Sequence, residues 1–99
     1  MLSVDTFQRV VTNNEGTVSR ELTPRELQIL NCLQAKSKSG KWLSRKELER
    51  EVWVIPSSHT KALDVHVMFL RRKLEPLGFS IRCVRGRGFG LVQLEDIFA

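Results

Sequence analysis

Apolar positions in residues 59–74, HTKALDVHVMFLRRKL, recur at helical spacing, with Leu63, Val67, Leu70 and Leu74 separated by steps of four, three and four. On a helix turning roughly 100° per residue they form one narrow stripe of the kind that faces a core. The opposite side carries Lys61, Val65, Met68, Phe69 and Arg72. A helix with a single core stripe is ordinarily polar on its far side, yet this one is apolar and cationic there. Such a face is suited to contact something outside the domain.

Before that segment the spacing changes. Residues 6–12, with Phe7, Val10 and Val11, have the composition of a strand, Asn13-Asn14-Glu15-Gly16 carries turn residues, and residues 17–22 resume around Val18. This predicts a β-hairpin, with residues 2–4 as a further edge. Two helix starts follow. In Thr23-Pro24-Arg25-Glu26 the threonine can cap, proline suits the first helical position and Glu26 completes a capping box, while Leu22 and Leu27 have the spacing of a hydrophobic staple. Leu27, Ile29, Leu30 and Leu33 cover a broad arc, which predicts deep packing, and the Ser/Lys/Gly cluster at 36–41 ends the helix. Ser44-Arg45-Lys46-Glu47 repeats the box, with Leu43 and Leu48 as the staple, Leu48 and Val52 as a one-sided stripe and Trp53 at the end. Trp42-Leu43 before it suffices for one rung of strand.

Pro56 excludes a helix through Val54-Ile55-Pro56-Ser57-Ser58, which is therefore a loop. Ser57 or Ser58 can cap the next helix, predicted over about 58–75 and stopped by Pro76 and Gly78. Residues 79–84 read as a strand, Arg85-Gly86-Arg87-Gly88 as a basic turn and residues 89–92 as the return strand, a second hairpin over about 80–92. Residues 93–99 carry no decisive pattern. Hairpin, three helices and hairpin in this order make an α+β fold.

At 99 residues the chain is sized for one domain. No apolar run approaches a membrane span, and no signal-peptide pattern opens the chain. Cys32 and Cys83 lie far apart without CxxC spacing, the pattern of reduced thiols, and His59 and His66 have no Cys/His cluster to make a metal site. No Ser/His/Asp or paired-carboxylate arrangement is visible, and Gly86-Arg87-Gly88 is a turn rather than a nucleotide cradle. The expectation is a protein that is not an enzyme and uses no cofactor. Charge is more informative. The net charge is +5, and residues 61–90 hold seven cations (Lys61, Arg71, Arg72, Lys73, Arg82, Arg85, Arg87) and two anions (Asp64, Glu75), 7 − 2 = +5, the whole excess. A local excess of this kind is the footprint of a nucleic-acid site, the alternative being a merely solvated basic face.

Four segments stand in a familiar order: Leu22-Thr23-Pro24-Arg25-Glu26; Ser44-Arg45-Lys46-Glu47-Leu48 with Val52-Trp53; Leu63-Asp64-Val65-His66-Val67 through Leu70-Arg71-Arg72-Lys73-Leu74; and Val84-Arg85-Gly86-Arg87-Gly88-Phe89. Over nearly the full chain this resembles the winged-helix DNA-binding effector domain of OmpR/PhoB-type bacterial response regulators. The resemblance implies an N-terminal four-stranded antiparallel sheet, three helices and a C-terminal β-hairpin wing. It implies sequence-specific binding of double-stranded DNA for transcription regulation in a two-component system of the bacterial cytoplasm. It also implies a third helix entering the major groove and a wing reaching the adjacent minor groove. The physics agrees: a helix fits the groove where each base pair shows a distinct edge, and an arginine at a hairpin tip suits the narrow, electronegative one. By the same resemblance Arg85 is the minor-groove residue, Thr60, Lys61, His66 and Arg71 meet backbone phosphates, and the Trp53 indole can donate to a phosphate. The resemblance also implies that the loop Val54, Ile55, Pro56, Ser57 and Ser58 is where RNA polymerase is contacted, and a second copy on the DNA is an expected further partner. With Met1 twenty-two residues before Thr23, no receiver domain is expected upstream. Residues 1–99 are expected to be an effector domain, either excised or standing alone.

The departures from the family pattern are specific. Met68 and Phe69 stand where members often carry arginine or other polar residues, and neither makes a bidentate guanine contact. Two readings are open. Val65, Met68 and Phe69 pack on thymine methyls while Arg72 and the wing supply polar contacts, so that selectivity is modest or biased to A·T-rich sites. Alternatively the patch meets protein, and the domain is an interaction module with weak or nonspecific DNA binding. The concentrated charge favours DNA, because apolar protein interfaces are poor in charge. Arg87 adds a second cation at the wing tip. The loop at 54–58 is shorter than usual in the family and begins apolar, which counts against the polymerase contact.

Overall fold

Leu63, Val67, Leu70 and Leu74 of α3 (Thr60–Leu74) all turn inward. They join Leu27, Ile29, Leu30 and Leu33 of α1 (Pro24–Ser37) and Leu48 and Val52 of α2 (Arg45–Val52) in one apolar cluster. At about 1.5–3 kcal/mol per buried aliphatic side chain, this burial holds the three helices together. The computed structural model describes residues 2–53 and 60–94, and only the backbone of Thr60 and Lys61.

Both expected capping boxes fix helix starts. Thr23 Oγ1 accepts from the Glu26 N–H at 3.2 Å, and Glu26 Oε1 from the Thr23 N–H at 2.8 Å. Ser44 Oγ accepts from the Glu47 N–H at 3.1 Å, and Glu47 Oε1 from the Ser44 N–H at 3.2 Å. The Ser44 backbone N–H, then its hydroxyl, hold the Glu47 carboxyl below its ordinary range. Glu26 has a second duty. Only 2% exposed, it also accepts from Lys73 Nζ at 2.6 Å and so pairs α1 with α3.

The N-terminal strands β1 (Ser3–Asp5), β2 (Val10–Thr12) and β3 (Ser19–Glu21) form an antiparallel sheet in that order, with Val11 opposite Val4 on one side and Arg20 on the other. The Asn13 turn is held by its side-chain oxygen, which accepts from the N–H groups of Thr17 at 2.8 Å and Val18 at 3.1 Å. Two expectations need correction. Residues 6–9 are not strand but the turn between β1 and β2, because Asp5 Oδ1 accepts from the Gln8 N–H at 3.0 Å and Arg9 adopts φ +56°. That local side-chain bond outcompetes pairing. The sheet among the described residues has three strands rather than the four that the resemblance implied.

A 3-10 turn (Glu75–Leu77) ends α3 and leads into β4 (Phe79–Val84), which pairs with β5 (Gly88–Gln93) from Phe79 opposite Gln93 to Val84 opposite Gly88. The single rung expected near Trp42-Leu43 is present. The Leu43 N–H donates to the Phe89 carbonyl at 3.0 Å, and the Phe89 N–H to the Leu43 carbonyl at 2.6 Å. Two glycines permit this approach. A Cβ on Gly88, at φ +104°, would lie 2.1 Å from the Leu43 carbonyl oxygen, and one on Gly90 would lie 2.6 Å from Trp42 Cε3. The loop at 54–58, the capping roles of Ser57 and Ser58, and the tail beyond Leu94 lie outside the described residues. No described helix is long and apolar enough to cross a membrane.

Candidate nucleic-acid interface

Because the stripe of α3 is buried, its far side is the solvent face, as the periodicity predicts. Val65, Met68 and Phe69 are 46%, 39% and 45% exposed. Arg72 is exposed beside them, with Cζ 5.9 Å from the centroid of the Phe69 ring. Spacings of three and four residues put all four on one helical face. Thr60 and Lys61 open the same helix, their side chains outside the described residues.

The cations of the basic window divide into two groups. Lys73 is engaged by Glu26, and half-buried Arg71 donates its Nε–H to the Ile81 carbonyl at 2.8 Å, tying α3 to β4. Arg82, Arg85 and Arg87 are exposed on β4 and the wing turn, and among the described residues no carboxylate pairs with them. The turn is closed by the Arg87 N–H on the Val84 carbonyl at 3.0 Å. The wing therefore keeps its charge outward, whereas part of the excess on α3 is consumed internally.

Trp53 and His66, placed together by the fold, lie with ring centroids 6.3 Å apart. Arg25 completes the stack: its Cζ is 4.9 Å from the Trp53 ring centroid, and its guanidinium donates to the Val52 carbonyl at the end of α2. A cation on the last carbonyls of a helix is favourably placed against its dipole. A second residue absent from the sequence reading of the site is Arg45. Its Nη1 lies 2.8 Å from Asp64 Oδ1 of α3, and its Cζ lies 5.3 Å from the Phe89 ring centroid of β5. It links α2, α3 and the wing. In the sequence Arg45 is only the second position of a capping box, with no signal toward a partner nineteen residues away.

Both cysteines are free thiols, and burial, followed by the nearby Glu51 carboxylate, pushes the Cys32 thiol up from its ordinary range. Among the described residues no group of three or more His, Cys, Asp or Glu is placed to hold a metal ion.

Residues 16–91 match a family model described as transcriptional regulatory protein, C terminal. The response regulator protein PmrA of Pseudomonas aeruginosa is 43% identical over 74 residues, 74% of this chain and 32% of that protein. The transcriptional regulatory protein CpxR homolog of Haemophilus influenzae is 40% identical over 89 residues, 84% of this chain and 37% of that protein. The chain thus spans about a third of the length of the curated relatives it matches. Among solved structures, the DNA-binding domain of response regulator AdeR, in complex with an intercistronic region, is similar at a TM-score of 0.71 and 26% identity, covering 93% of this chain and 94% of that one. With both capping boxes, α3 and the basic turn inside the matched span, the chain belongs to the family of transcriptional regulatory protein C-terminal domains, the OmpR/PhoB-type winged-helix effector domains of response regulators.

Proposed function

We propose that this domain binds double-stranded DNA sequence-specifically to regulate transcription, with α3 in the major groove and the β4–β5 tip in the adjacent minor groove. The observation that carries this reading is the outward charge of Arg82, Arg85 and Arg87, which no carboxylate pairs among the described residues, on a hairpin bonded directly to α3 through Arg71 and Ile81. Arg85 and Arg87 enter the minor groove, whose potential favours inserted arginine. Val65, Met68, Phe69 and Arg72 face base edges. Trp53, Thr60, Lys61, His66 and Arg71 meet phosphates, which set register without carrying sequence. Arg71, its Nε on Ile81, offers its Nη groups. The family is one of transcriptional regulators rather than of enzymes. RNA polymerase at the 54–58 loop, a second copy on the DNA and action in the cytoplasm complete the reading.

The test is fluorescence anisotropy with a duplex selected from a random pool and a scrambled control. The selected duplex binds more tightly, and log affinity falls with log salt by about 0.9 per phosphate contact. Arg85→Ala weakens binding by on the order of 1–3 kcal/mol. Equal affinity for both duplexes overturns the sequence-specific claim. A second reading, a winged-helix protein-interaction module, draws on the exposure of Phe69. A dimer in light scattering that Phe69→Asp dissociates, with no duplex bound, selects it instead.

A further inference from the structure

We propose that α3 recognises thymine by its C5-methyl group, through an apolar triangle of Val65, Met68 and Phe69 whose border is set by Arg72. The inference rests on the duplex-binding reading of this face and gives it a base preference.

Three side chains without strong hydrogen-bonding groups stand where the helix meets base edges. Each is between 39% and 46% exposed, and they sit three and four residues apart on one helical face. None can satisfy the N7/O6 acceptors of guanine or the N6/N7 pair of adenine. The one apolar feature on a major-groove base edge is the thymine C5-methyl. Burying a methyl between Phe69 and Met68 removes apolar area on both partners, and the flexible thioether can follow the methyl's position.

The surroundings choose DNA over a protein as the occupant. Arg72 leans on the Phe69 ring, and Arg82, Arg85 and Arg87 project from the neighbouring hairpin. Asp64, on the same helix, is already engaged by Arg45. An apolar protein interface is depleted of charge at its centre, whereas an apolar patch fringed by arginines matches methyls flanked by phosphates. The contact between Arg72 and Phe69 also limits the freedom of the guanidinium, which is poised at the patch border for a phosphate or an adjoining base edge.

The experiment takes the duplex selected by the wild-type domain and replaces its thymines with uracil, which lacks only the C5-methyl. Anisotropy is read for wild type and for Phe69→Asn, an exposed position whose variant is checked for an unchanged circular dichroism spectrum. Wild type loses about fourfold in affinity per contacted methyl. Phe69→Asn binds the thymine duplex more weakly, with the same salt slope, and loses less on uracil substitution. Equal binding of the thymine and uracil duplexes by wild type overturns the methyl contact while leaving duplex binding intact. An equal uracil penalty in wild type and variant overturns the assignment to Phe69. If no duplex is selected at all, the underlying DNA reading falls along with the inference.

Discussion

The pair between Glu26 and Lys73 makes a quantitative test of how charge is divided in this domain. Lys73 belongs to the basic window, yet its Nζ sits 2.6 Å from a carboxylate that also holds the first turn of α1. Removing the ammonium by Lys73→Met leaves a buried carboxylate with the Thr23 N–H as its one remaining partner among the described residues. Breaking a fully buried pair costs about 3–5 kcal/mol. The Lys73 side chain is 31% exposed, so water already attenuates this pair. About 2 kcal/mol is therefore expected, near the value of a hydrogen bond to a charged group. For a domain of this size that lowers Tm by about 8–16 °C. Glu26→Gln preserves the shape and the cap acceptor and strands Lys73 instead. The double variant leaves neither charge, so its cost falls short of the summed single costs by about 1–2 kcal/mol. Urea unfolding followed by circular dichroism, with a constant m-value, reads all four corners of the cycle. Additivity within about 0.5 kcal/mol refutes the coupling. A functional arm accompanies it. Lys73→Met leaves the salt dependence of DNA binding unchanged, whereas Arg87→Ala lowers its slope by about 0.9.

Two further perturbations test other joints. Gly88→Ala places a methyl against the Leu43 carbonyl at an unfavourable φ, so stability falls by on the order of 1–3 kcal/mol; an unaltered urea midpoint refutes the close approach. Glu47 has a lowered folded-state pKa, so its contribution is present above the ordinary value of 4.5 and lost as pH falls through the folded value below it. The Tm difference between wild type and Glu47→Gln therefore narrows toward zero on acidification, and a difference independent of pH contradicts the capping interaction.

The sequence declared most clearly those features governed by neighbours three or four positions away. The buried stripe of α3, its inverted outer face and both capping boxes are local, so their spacing suffices to place them. The turn at residues 6–9 escaped because Phe7 and Val10 suggest a strand, while one carboxylate, Asp5, diverts the backbone. The interface residues were harder in another way. Arg25, Arg45, Arg71 and Lys73 are alike as cations, and only packing tells that one caps α2, one meets Asp64, one meets Ile81 and one meets Glu26. These partners lie between ten and forty-seven positions away, beyond any periodicity. Arg85 and Arg87 were legible as outward charge because they sit in a glycine-punctuated turn between two strands, and such connections run over the surface.

The rung between Leu43 and Phe89 has a mechanical consequence. It stitches the wing to the residue just ahead of the α2 cap, so the two prongs of the proposed DNA contact, the helices and the wing, behave like calipers with a locked hinge. One base pair inserted between two sub-sites rotates the second by roughly 35° around the duplex, and locked calipers cannot swing to follow it. Tolerance to spacer length must then come from bending the DNA.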